Sequence, residues 1–409
     1  MLTKWIGNKF NRNDLAYLII SLLLAGFLFN RVIHSIGIFF ACIFIVSSRY
    51  WIRIIFQDKF LISFLAIPVL VFIGDLVHAP AEIYKSTFIP KMALLVYPLF
   101  LKIWSPNKKQ INEIFHVLMI VSCINMIYSV TMFLENPSQI LDSYKVAKVM
   151  PTLALGDHIR ISWMTVLALW GVVYTLRQEN KSWVKNLSFM FIFISILYLH
   201  FIAVKTGLFL LYSSFFIFII YSIILKNYQK SILILLFISL SPILAYKWLP
   251  SLQNRVAYIQ WDVKEYLSGN RQIGLSDGSR LASIKAGWAI AEENMLLGVG
   301  RSTLKDKTNK WYATNEPSMP AIDYIIPSSQ IIILIASCGI LGLILFLYHV
   351  SFPLLGYDVW KNSIFICVYL PSIATFIYET HFEGQFAIFV YAFFMYLFYL
   401  TTLVDKKDT

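Results

Sequence analysis

Long apolar runs, separated by short polar or basic segments, form the main pattern along this chain. A helix that crosses a bilayer needs about 20 mostly apolar residues, and runs close to this length recur from one end of the sequence to the other. We therefore predict an all-α polytopic membrane protein with about twelve transmembrane helices. The fourth span is short, and Pro353 and Pro371 interrupt the eleventh. The predicted spans are 15–30, 32–48, 60–77, 91–104, 113–133, 160–176, 187–203, 207–225, 231–248, 327–348, 352–378 and 385–404.

The composition agrees with this pattern. Of the 409 residues, 58% are hydrophobic and only 14% are charged, whereas soluble domains carry about 25% charged residues. The net charge of +12 is divided among short basic clusters, which is typical of membrane topology signals and not of a nucleic-acid-binding surface. We therefore expect contact with membrane lipids and none with nucleic acid. The four cysteines lie in apolar runs without metal-ligand spacing, so no metal and no other cofactor is predicted.

Basic residues concentrate in alternate connections between the predicted spans, and this indicates the orientation of the protein. Under the positive-inside rule these connections face the cytoplasm, so both termini are cytoplasmic and the two long loops lie outside. We divide the chain into an N-terminal transmembrane bundle (1–248), a large outer loop with amphipathic helices (249–326) and C-terminal transmembrane helices (327–409). The basic connections contain Lys4, Lys9 and Arg12; Arg49, Arg53 and Lys59; Lys102, Lys108 and Lys109; Arg177, Lys181 and Lys185; Lys226 and Lys230; and Lys406 and Lys407.

The large outer loop has a helical pattern of its own. We predict an amphipathic helix over Ser279–Asn294, with Asp277 or Ser279 as its N-terminal cap. A glycine-containing segment, 298–302, then precedes a second short helix. Its backbone N–H groups are suited to binding an anion, and a plain connection between two helices is the alternative. The apolar residues that repeat at helical spacing in the first helix are Leu281, Ile284, Trp288 and Ala291.

Polar side chains gather at the outer ends of the predicted spans, where five separate segments present them to the same side. A lipid-linked phosphate or diphosphate would need basic groups at this level. The alternative for each residue is a snorkelling side chain or a solvated loop-end charge. Lys205 differs from the others, because a single cation in a short apolar hairpin is costly without a partner or a ligand. The residues are Asp157, His158, Arg160, Lys205, Arg280, Lys285, Arg301, Asp323, Ser328, Ser329, Gln330, Glu379, His381, Glu383 and Gln385.

Several of these segments carry a family resemblance. The segment Ser276–Ser283, with Gly287-Trp288 and the run from Glu293 to Gly300, resembles the large periplasmic loop of the O-antigen ligase and Wzy-type polymerase family. The turn around Lys205-Thr206-Gly207 is similar to the family's Arg-Thr-Gly or Arg-Ser-Gly turn. Further similarity lies in Pro327–Gln330, in Cys338–Gly342 and in Glu383-x-Gln385. The resemblance covers roughly residues 155–400, and the N-terminal third is similar only in hydropathy.

The resemblance implies a metal-independent, inverting glycosyltransferase with a GT-C-like fold. Such enzymes act at the periplasmic face of the bacterial inner membrane, where they move a glycan from undecaprenyl diphosphate to an acceptor. A ligase uses lipid A–core as its acceptor, and a polymerase uses another lipid-linked glycan. Carried over to this sequence, the diphosphate-binding role falls on Lys205, Arg280 and Arg301.

Two departures from the family pattern concern the chemistry of the site. Ser328 occupies the position where family members commonly have a histidine, and serine alone is not a general base at neutral pH. Lys205 replaces the usual arginine and so lacks the bidentate fork. The titratable candidates for the general base, on the predicted outer side, are Asp323, His381, Glu383 and Asp277. The predicted catalytic residues are Arg280, Asp323, His381 and Glu383.

Two other functions are alternatives to the glycosyltransferase. They are a lipid-linked sugar transporter and a non-catalytic scaffold.

Overall fold

The computed structural model describes residues 11–78, 80–81, 87–146, 149–269 and 276–405. Within these ranges the chain is helical, and no strand occurs. The basic residues Lys4, Lys9, Lys406 and Lys407, which contributed to the predicted orientation, lie outside the described residues. The helices are α1 (Arg12–Phe29), α2 (Arg31–Val46), α3 (Trp51–Gln57), α4 (Lys59–His78), α5 (Phe88–Lys91), α6 (Ala93–Trp104), α7 (Lys108–Glu135), α8 (Pro137–Ser143), α9 (His158–Leu176), α10 (Ser182–Ile202), α11 (Lys205–Ile224), α12 (Tyr228–Trp248), α13 (Pro250–Leu267), α14 (Asp277–Glu293), α15 (Arg301–Asn315), α16 (Gln330–Ser351), α17 (Ser363–Thr375) and α18 (Gln385–Asp405).

Nine of these helices are long and apolar enough to cross a membrane, and the number rises to ten if α2 and α3, bent by 93°, form one span. The prediction of an all-helical multi-pass membrane protein is confirmed, although its count of about twelve spans exceeds these numbers. The difference lies mainly in the predicted fourth and eleventh spans. There, α6 and α17 have 12 and 13 residues and extend only about 18–20 Å, whereas the hydrocarbon core is about 30 Å thick.

Burial identifies the centre and the edge of the bundle. In α9 and α18, 78% and 83% of the most apolar window is buried inside the protein, against 6% in α12. The central pair therefore forms the core, and α12 lies at the periphery, where lipid is its solvent. Both central helices begin at the end of the bundle to which the large outer loop belongs, so the start of each one helps to form the candidate site.

A break in α16 receives part of the outer loop. Gly339 has φ of 64° and interrupts the helix, and the carbonyls of Ala336 and Ser337 accept hydrogen bonds of 2.9 Å from the N–H groups of Val299 and Gly300. The N–H of Ile340 in turn donates to the carbonyl of Met295 at 2.7 Å. Unpaired backbone groups are very costly in an apolar layer, so this docking stabilises the break.

The glycine segment 298–302 therefore serves first as a docking element. The anion at the start of α15 comes from the protein itself, since the backbone N–H of Ser302 donates to Oδ1 of Asp75 at 2.7 Å. Asp75 is fully buried in α4, and this contact attaches the outer loop to a transmembrane helix. The sequence pattern favoured either an anion site or a plain connection here, and the structure shows an internal carboxylate at the helix start.

Gly339→Ala is expected to destabilise the protein. A Cβ atom at this position would lie 2.2 Å from the carbonyl oxygen of Leu296, and the positive φ is unfavourable for alanine. Backbone strain of this kind costs about 1–3 kcal/mol, and the clash adds to it. The measurement is the thermal unfolding midpoint of the purified protein. Gly74→Ala is the control, because its Cβ would meet nothing closer than 3.5 Å; equal midpoints for the two variants would contradict the prediction.

Candidate functional site

The helix that carries Arg280 is held at its start by a carboxylate from the preceding helix. Asp262 in α13 accepts hydrogen bonds from the backbone N–H groups of Ser276 and Asp277, both 2.8 Å, and of Gly278, 2.9 Å. The expectation that Asp277 or Ser279 caps this helix is therefore wrong, whereas the predicted helix itself is present as α14. Because Asp262 supplies the cap, the Asp277 side chain is available for another partner.

The buried face of α14 differs from the predicted one. Leu281 and Trp288 of the predicted apolar stripe are 38% and 45% exposed, whereas its member Ala291 is buried. Small residues such as Ala282 and Ala286 make up most of the inner face. Close packing is the reason: a Cβ on Gly287 would lie 2.5 Å from the ring of Pro327. This close approach packs the middle of α14 against the segment that precedes α16.

Lys205, Arg255, Arg280, Asp277 and Glu379 lie together at this end of the bundle, and we call them the cation cluster. The ammonium of Lys205 at the start of α11 donates to Asp277 Oδ1. Arg280 Nη1 donates to Glu379 Oε1 at 3.2 Å, and the Thr206 hydroxyl donates to the same oxygen at 2.9 Å. The prediction that Lys205 and Arg280 act at one site is compatible with this arrangement.

Arg255 is the member that sequence reasoning missed. It lies on α13, is only 6% exposed, and its Nε and Nη1 atoms are buried without a hydrogen-bond partner. Its charge interacts with those of Asp277, Lys205 and Arg280. Burial lowers the pKa of Arg255 while Asp277 raises it, and a guanidinium remains protonated throughout the physiological range. A buried cation with open donors is a strong anion-binding group.

A signal for Arg255 was present in the sequence. The buried residues of α13 repeat at helical spacing and are mostly polar, namely Ser251, Arg255, Tyr258, Asp262 and Tyr266. An amphipathic search that scores only apolar residues overlooks such a stripe, although the helical period is the same.

A second group, which we call the Glu383 cluster, contains Lys91, Arg301, Gln330 and Glu383. Lys91 Nζ lies 2.7 Å from Glu383 Oε1, and Arg301 Nη2 lies 2.8 Å from Oε2. Gln330 Nε2 also donates to Oε1 at 3.3 Å. Burial would raise the pKa of Glu383, yet the charges and hydrogen bonds of Lys91 and Arg301 lower it to about 2. This carboxylate is therefore ionised and a weak base at neutral pH.

The structure thus places Arg301 and Glu383 in one cluster and Lys205 and Arg280 in the other. The connecting segment 379–383 contributes a carboxylate to each. Lys91, which was predicted to begin the fourth span, instead ends the short helix α5 and is almost fully buried against Glu383. A buried lysine of this kind needs its carboxylate partner.

His381 lies inside the protein. Its ring packs at 4.4 Å from Trp163 and 4.9 Å from Phe376 between centroids, and Nε2 is 2.7 Å from the hydroxyl of Thr375. Burial, assisted by the charge of Arg160, holds the pKa of His381 well below its ordinary value. The imidazole is therefore neutral, and its buried Nδ1 has no hydrogen-bond partner.

The two remaining predicted residues are Asp323, within the outer loop, and Ser328, just after it. Ser328 exchanges hydrogen bonds with Ser283, the hydroxyl–hydroxyl distance being 3.1 Å, and its hydroxyl donates to the carbonyl of Arg280 at 3.4 Å. Ser328 thus packs on α14 against the backbone of Arg280. Asp323 lies in the turn Ala321–Asp323, next to Tyr324, which stacks on Tyr312.

A cleft of about 400 Å³ lies beside the Glu383 cluster. Arg160 donates to the carbonyl of Thr380 at 3.3 Å and lies 3.6 Å from Asp157, so the start of α9 is fixed to the connecting segment. Arg31 approaches Phe386 in the cleft with its guanidinium carbon 5.7 Å from the ring centroid. The lining residues are Arg31, Asp157, Arg160, Thr380, Glu383, Gly384, Gln385, Phe386 and Ala387.

Neither a protein-family model nor a curated protein matches this chain. In the described part of the protein, no three His, Cys, Asp or Glu side chains converge in a way that could hold a metal ion. What the cation cluster offers chemically is a set of positive groups from three separate elements, α11, α13 and α14, around two carboxylates. Such an arrangement is able to bind a polyanion and to stabilise negative charge on a leaving group.

Asp262→Ala is expected to lower the stability of the protein and to disturb the cation cluster. Loss of the cap leaves three N–H groups at the start of α14 without an acceptor, which costs about 1–2 kcal/mol, and it loosens the positions of Asp277 and Arg280. Asn107→Ala is the matched control, since Asn107 caps α7 away from the site. Both variants are expected to unfold at lower temperature, and only Asp262→Ala to lose the glycan transfer that the family resemblance implies; loss of this transfer in both variants would contradict the expectation.

Proposed function

We propose that this protein is a membrane glycosyltransferase with a GT-C-like fold. It would transfer a glycan from undecaprenyl diphosphate to an acceptor at the periplasmic face of the bacterial inner membrane, as an O-antigen ligase does. The observation that carries the proposal is the convergence of Lys205, Arg255 and Arg280, three cations against two carboxylates, with two open donor atoms on Arg255. A Wzy-type polymerase would use the same donor with a lipid-linked glycan as acceptor.

The proposed reaction needs few protein groups. The diphosphate binds Lys205, Arg255 and Arg280, and the acceptor hydroxyl attacks the anomeric carbon on the side opposite the leaving group. The bond between the anomeric carbon and the diphosphate oxygen breaks, and its electron pair leaves with the diphosphate. The cations stabilise the charge that develops there. Attack from the opposite side inverts the configuration of the anomeric carbon.

Asp277 is the carboxylate best placed to receive the hydroxyl proton. Its Oδ1 pairs with Lys205, whereas its Oδ2 has no hydrogen-bond partner. The ion pairs of Glu383 and its low pKa favour a positioning role, because they hold the connecting segment in place. Arg301 would have to leave Glu383 to bind the diphosphate. The catalytic roles of His381 and Asp323 stay predictions, and the proposed reaction uses neither residue.

The proposal also includes an orientation of the bundle in the membrane. The cation cluster and the large outer loop would face the periplasm, and the opposite ends of the helices, which carry Arg177 and Lys230, would face the cytoplasm. The positive-inside pattern supports this orientation.

The test is a comparison of surface glycans from a strain without the gene and from the same strain complemented with it. Loss of long-chain material on lipid A–core, with the lipid-linked polymer persisting, would support a ligase. Single repeat units left on the core would support a polymerase. An unchanged glycan pattern would contradict both forms of the proposal.

The break in α16 favours transport as a second candidate function. Transporters commonly contain interrupted helices whose ends face a substrate site, and Gly339 interrupts α16 within its apolar length. Here, however, the outer loop fills the break with backbone hydrogen bonds. If the lipid-linked glycan accumulates on the cytoplasmic leaflet of the deletion strain, the result would support transport. Accumulation on the periplasmic leaflet would support transfer.

A further inference from the structure

A second cationic cavity lies at the other end of the bundle. Helices α9 and α11 run from the candidate site to this cavity, and at 1.5 Å per residue their 19 and 20 residues span about 30 Å. This distance equals the thickness of a hydrocarbon core of about 30 Å. The cavity therefore lies at the opposite membrane surface and is independent of the proposed function.

The lining of this cavity combines positive and apolar groups. Its volume is about 350 Å³, and three cations from three separate elements, Arg177, Lys230 and Lys361, border it. None of its lining residues is acidic. The full lining is Arg177, Phe218, Tyr221, Ser222, Leu225, Asn227, Lys230, Lys361 and Ser363.

Hydrogen bonds hold two walls of the cavity together. Arg177 Nη2 donates to the Ser363 hydroxyl at 2.8 Å, which orients the guanidinium. The Tyr221 hydroxyl donates to the carbonyl of Lys361 at 2.7 Å, which ties the end of α11 to the turn before α17. Helix α12 begins at Tyr228, so its first backbone N–H groups add a positive dipole end beside Lys230.

An apolar surface continues from the cavity along the bundle. Ile220, Ile224, Leu225 and Ile232 are 45–71% exposed, and α12 is almost unburied. A ligand that binds here therefore meets a cationic pocket at its head and a lipid-facing groove below it. A soluble phosphate would use only the first of these features, whereas a phospholipid would use both.

We propose that this cavity binds the headgroup of an anionic phospholipid, with its acyl chains along α11 and α12. The phosphodiester would accept hydrogen bonds from Arg177 and Lys230, and the hydroxyl groups of a glycerol headgroup have Asn227 and Ser363 within the same cavity. Near a membrane surface, each lysine or arginine contributes about 1 kcal/mol to the binding of an anionic lipid, which corresponds to about fivefold in affinity.

The experiment is native mass spectrometry of the full-length protein, delipidated in detergent and then mixed with phosphatidylglycerol or phosphatidylcholine. Wild type is expected to retain phosphatidylglycerol preferentially, and Lys230→Ala and Arg177→Ala each to weaken it about fivefold. Lys181→Ala and Lys185→Ala are the controls, because these residues lie at the same end of the bundle but do not line the cavity. Lys230→Ala removes no hydrogen bond that fixes the fold, so its result stands even if Arg177→Ala fails to fold.

Three outcomes would overturn the proposal. Equal retention of the two lipids by wild type would mean that the cavity does not select an anionic headgroup. Equal weakening by the control variants would mean that the effect is a general surface charge. Binding of glycerol 3-phosphate as tight as that of phosphatidylglycerol would mean that a soluble phosphoester, and not a lipid, is the ligand.

Discussion

Replacing Arg280 with alanine is expected to slow glycan transfer about 100- to 1,000-fold, the usual effect of removing one group that stabilises charge in a transition state. Arg280 lies at the start of α14 and bonds Glu379, which is nearly fully buried. Its guanidinium is partly exposed and so is accessible to a diphosphate. The measurement is the initial rate with an undecaprenyl diphosphate-linked glycan in proteoliposomes.

The removal of Arg280 also leaves Glu379 without its ion pair, so an effect on folding must be separated from one on chemistry. The double variant Arg280→Ala/Glu379→Gln removes the unpaired charge together with the cation. If loss of the fold caused the slow transfer, this variant would regain both stability and rate. We expect it to regain stability only.

Two single variants complete the test. Arg280→Lys keeps the charge but lacks the fork, and an intermediate rate is expected. Lys285 lies on the same helix, but its ammonium contacts the Tyr266 ring and not the cation cluster. The Lys285→Ala variant should therefore transfer glycan at the wild-type rate. A wild-type rate in Arg280→Ala would show that this arginine does not hold the leaving group.

The sequence predicted local features well because they depend on local periodicity. The predicted helix over Ser279–Asn294 corresponds to α14, and most predicted spans lie within a few residues of observed helices. Lys205 was singled out because a cation in an apolar hairpin needs a partner, and its partner is Asp277. The need for such a partner follows from the local sequence alone.

The features that the sequence did not predict depend mostly on contacts between residues far apart in the chain. Arg301 and Glu383 are 82 positions apart, and Lys91 and Glu383 are 292 apart, so no window of sequence shows that they meet. The inner face of α14 was misassigned for the same reason, since only the approach of Pro327 explains why small residues are buried and Trp288 is exposed. Arg255 was overlooked because its stripe on α13 is polar, although the spacing is helical.

Glu383→Gln is expected to destabilise the protein by about 3–5 kcal/mol, the usual cost of removing one partner from a buried ion pair. The substitution would leave Lys91 and Arg301 as two buried cations without a counter-charge, and their repulsion adds to the desolvation cost. Thermal unfolding in detergent, followed by intrinsic fluorescence, measures the effect. Asp142→Asn is the control, because it breaks the exposed ion pair with Lys145 and such pairs contribute at most about 1 kcal/mol.

The pH dependence of stability gives a second readout of the same carboxylate. The pKa of Glu383 is lowered in the folded protein from 4.5 to about 2, so its contribution is fully present above the unfolded value and is lost as the pH falls from about 4.5 through 2. Wild type should therefore lose stability in this window by more than Glu383→Gln does, since the variant has no proton to bind at this position. Adding Lys91→Met to Glu383→Gln should recover part of the stability, because it removes one of the two uncompensated cations. Equal acid sensitivity of wild type and Glu383→Gln would show that the folded protein does not hold Glu383 in its ionised form.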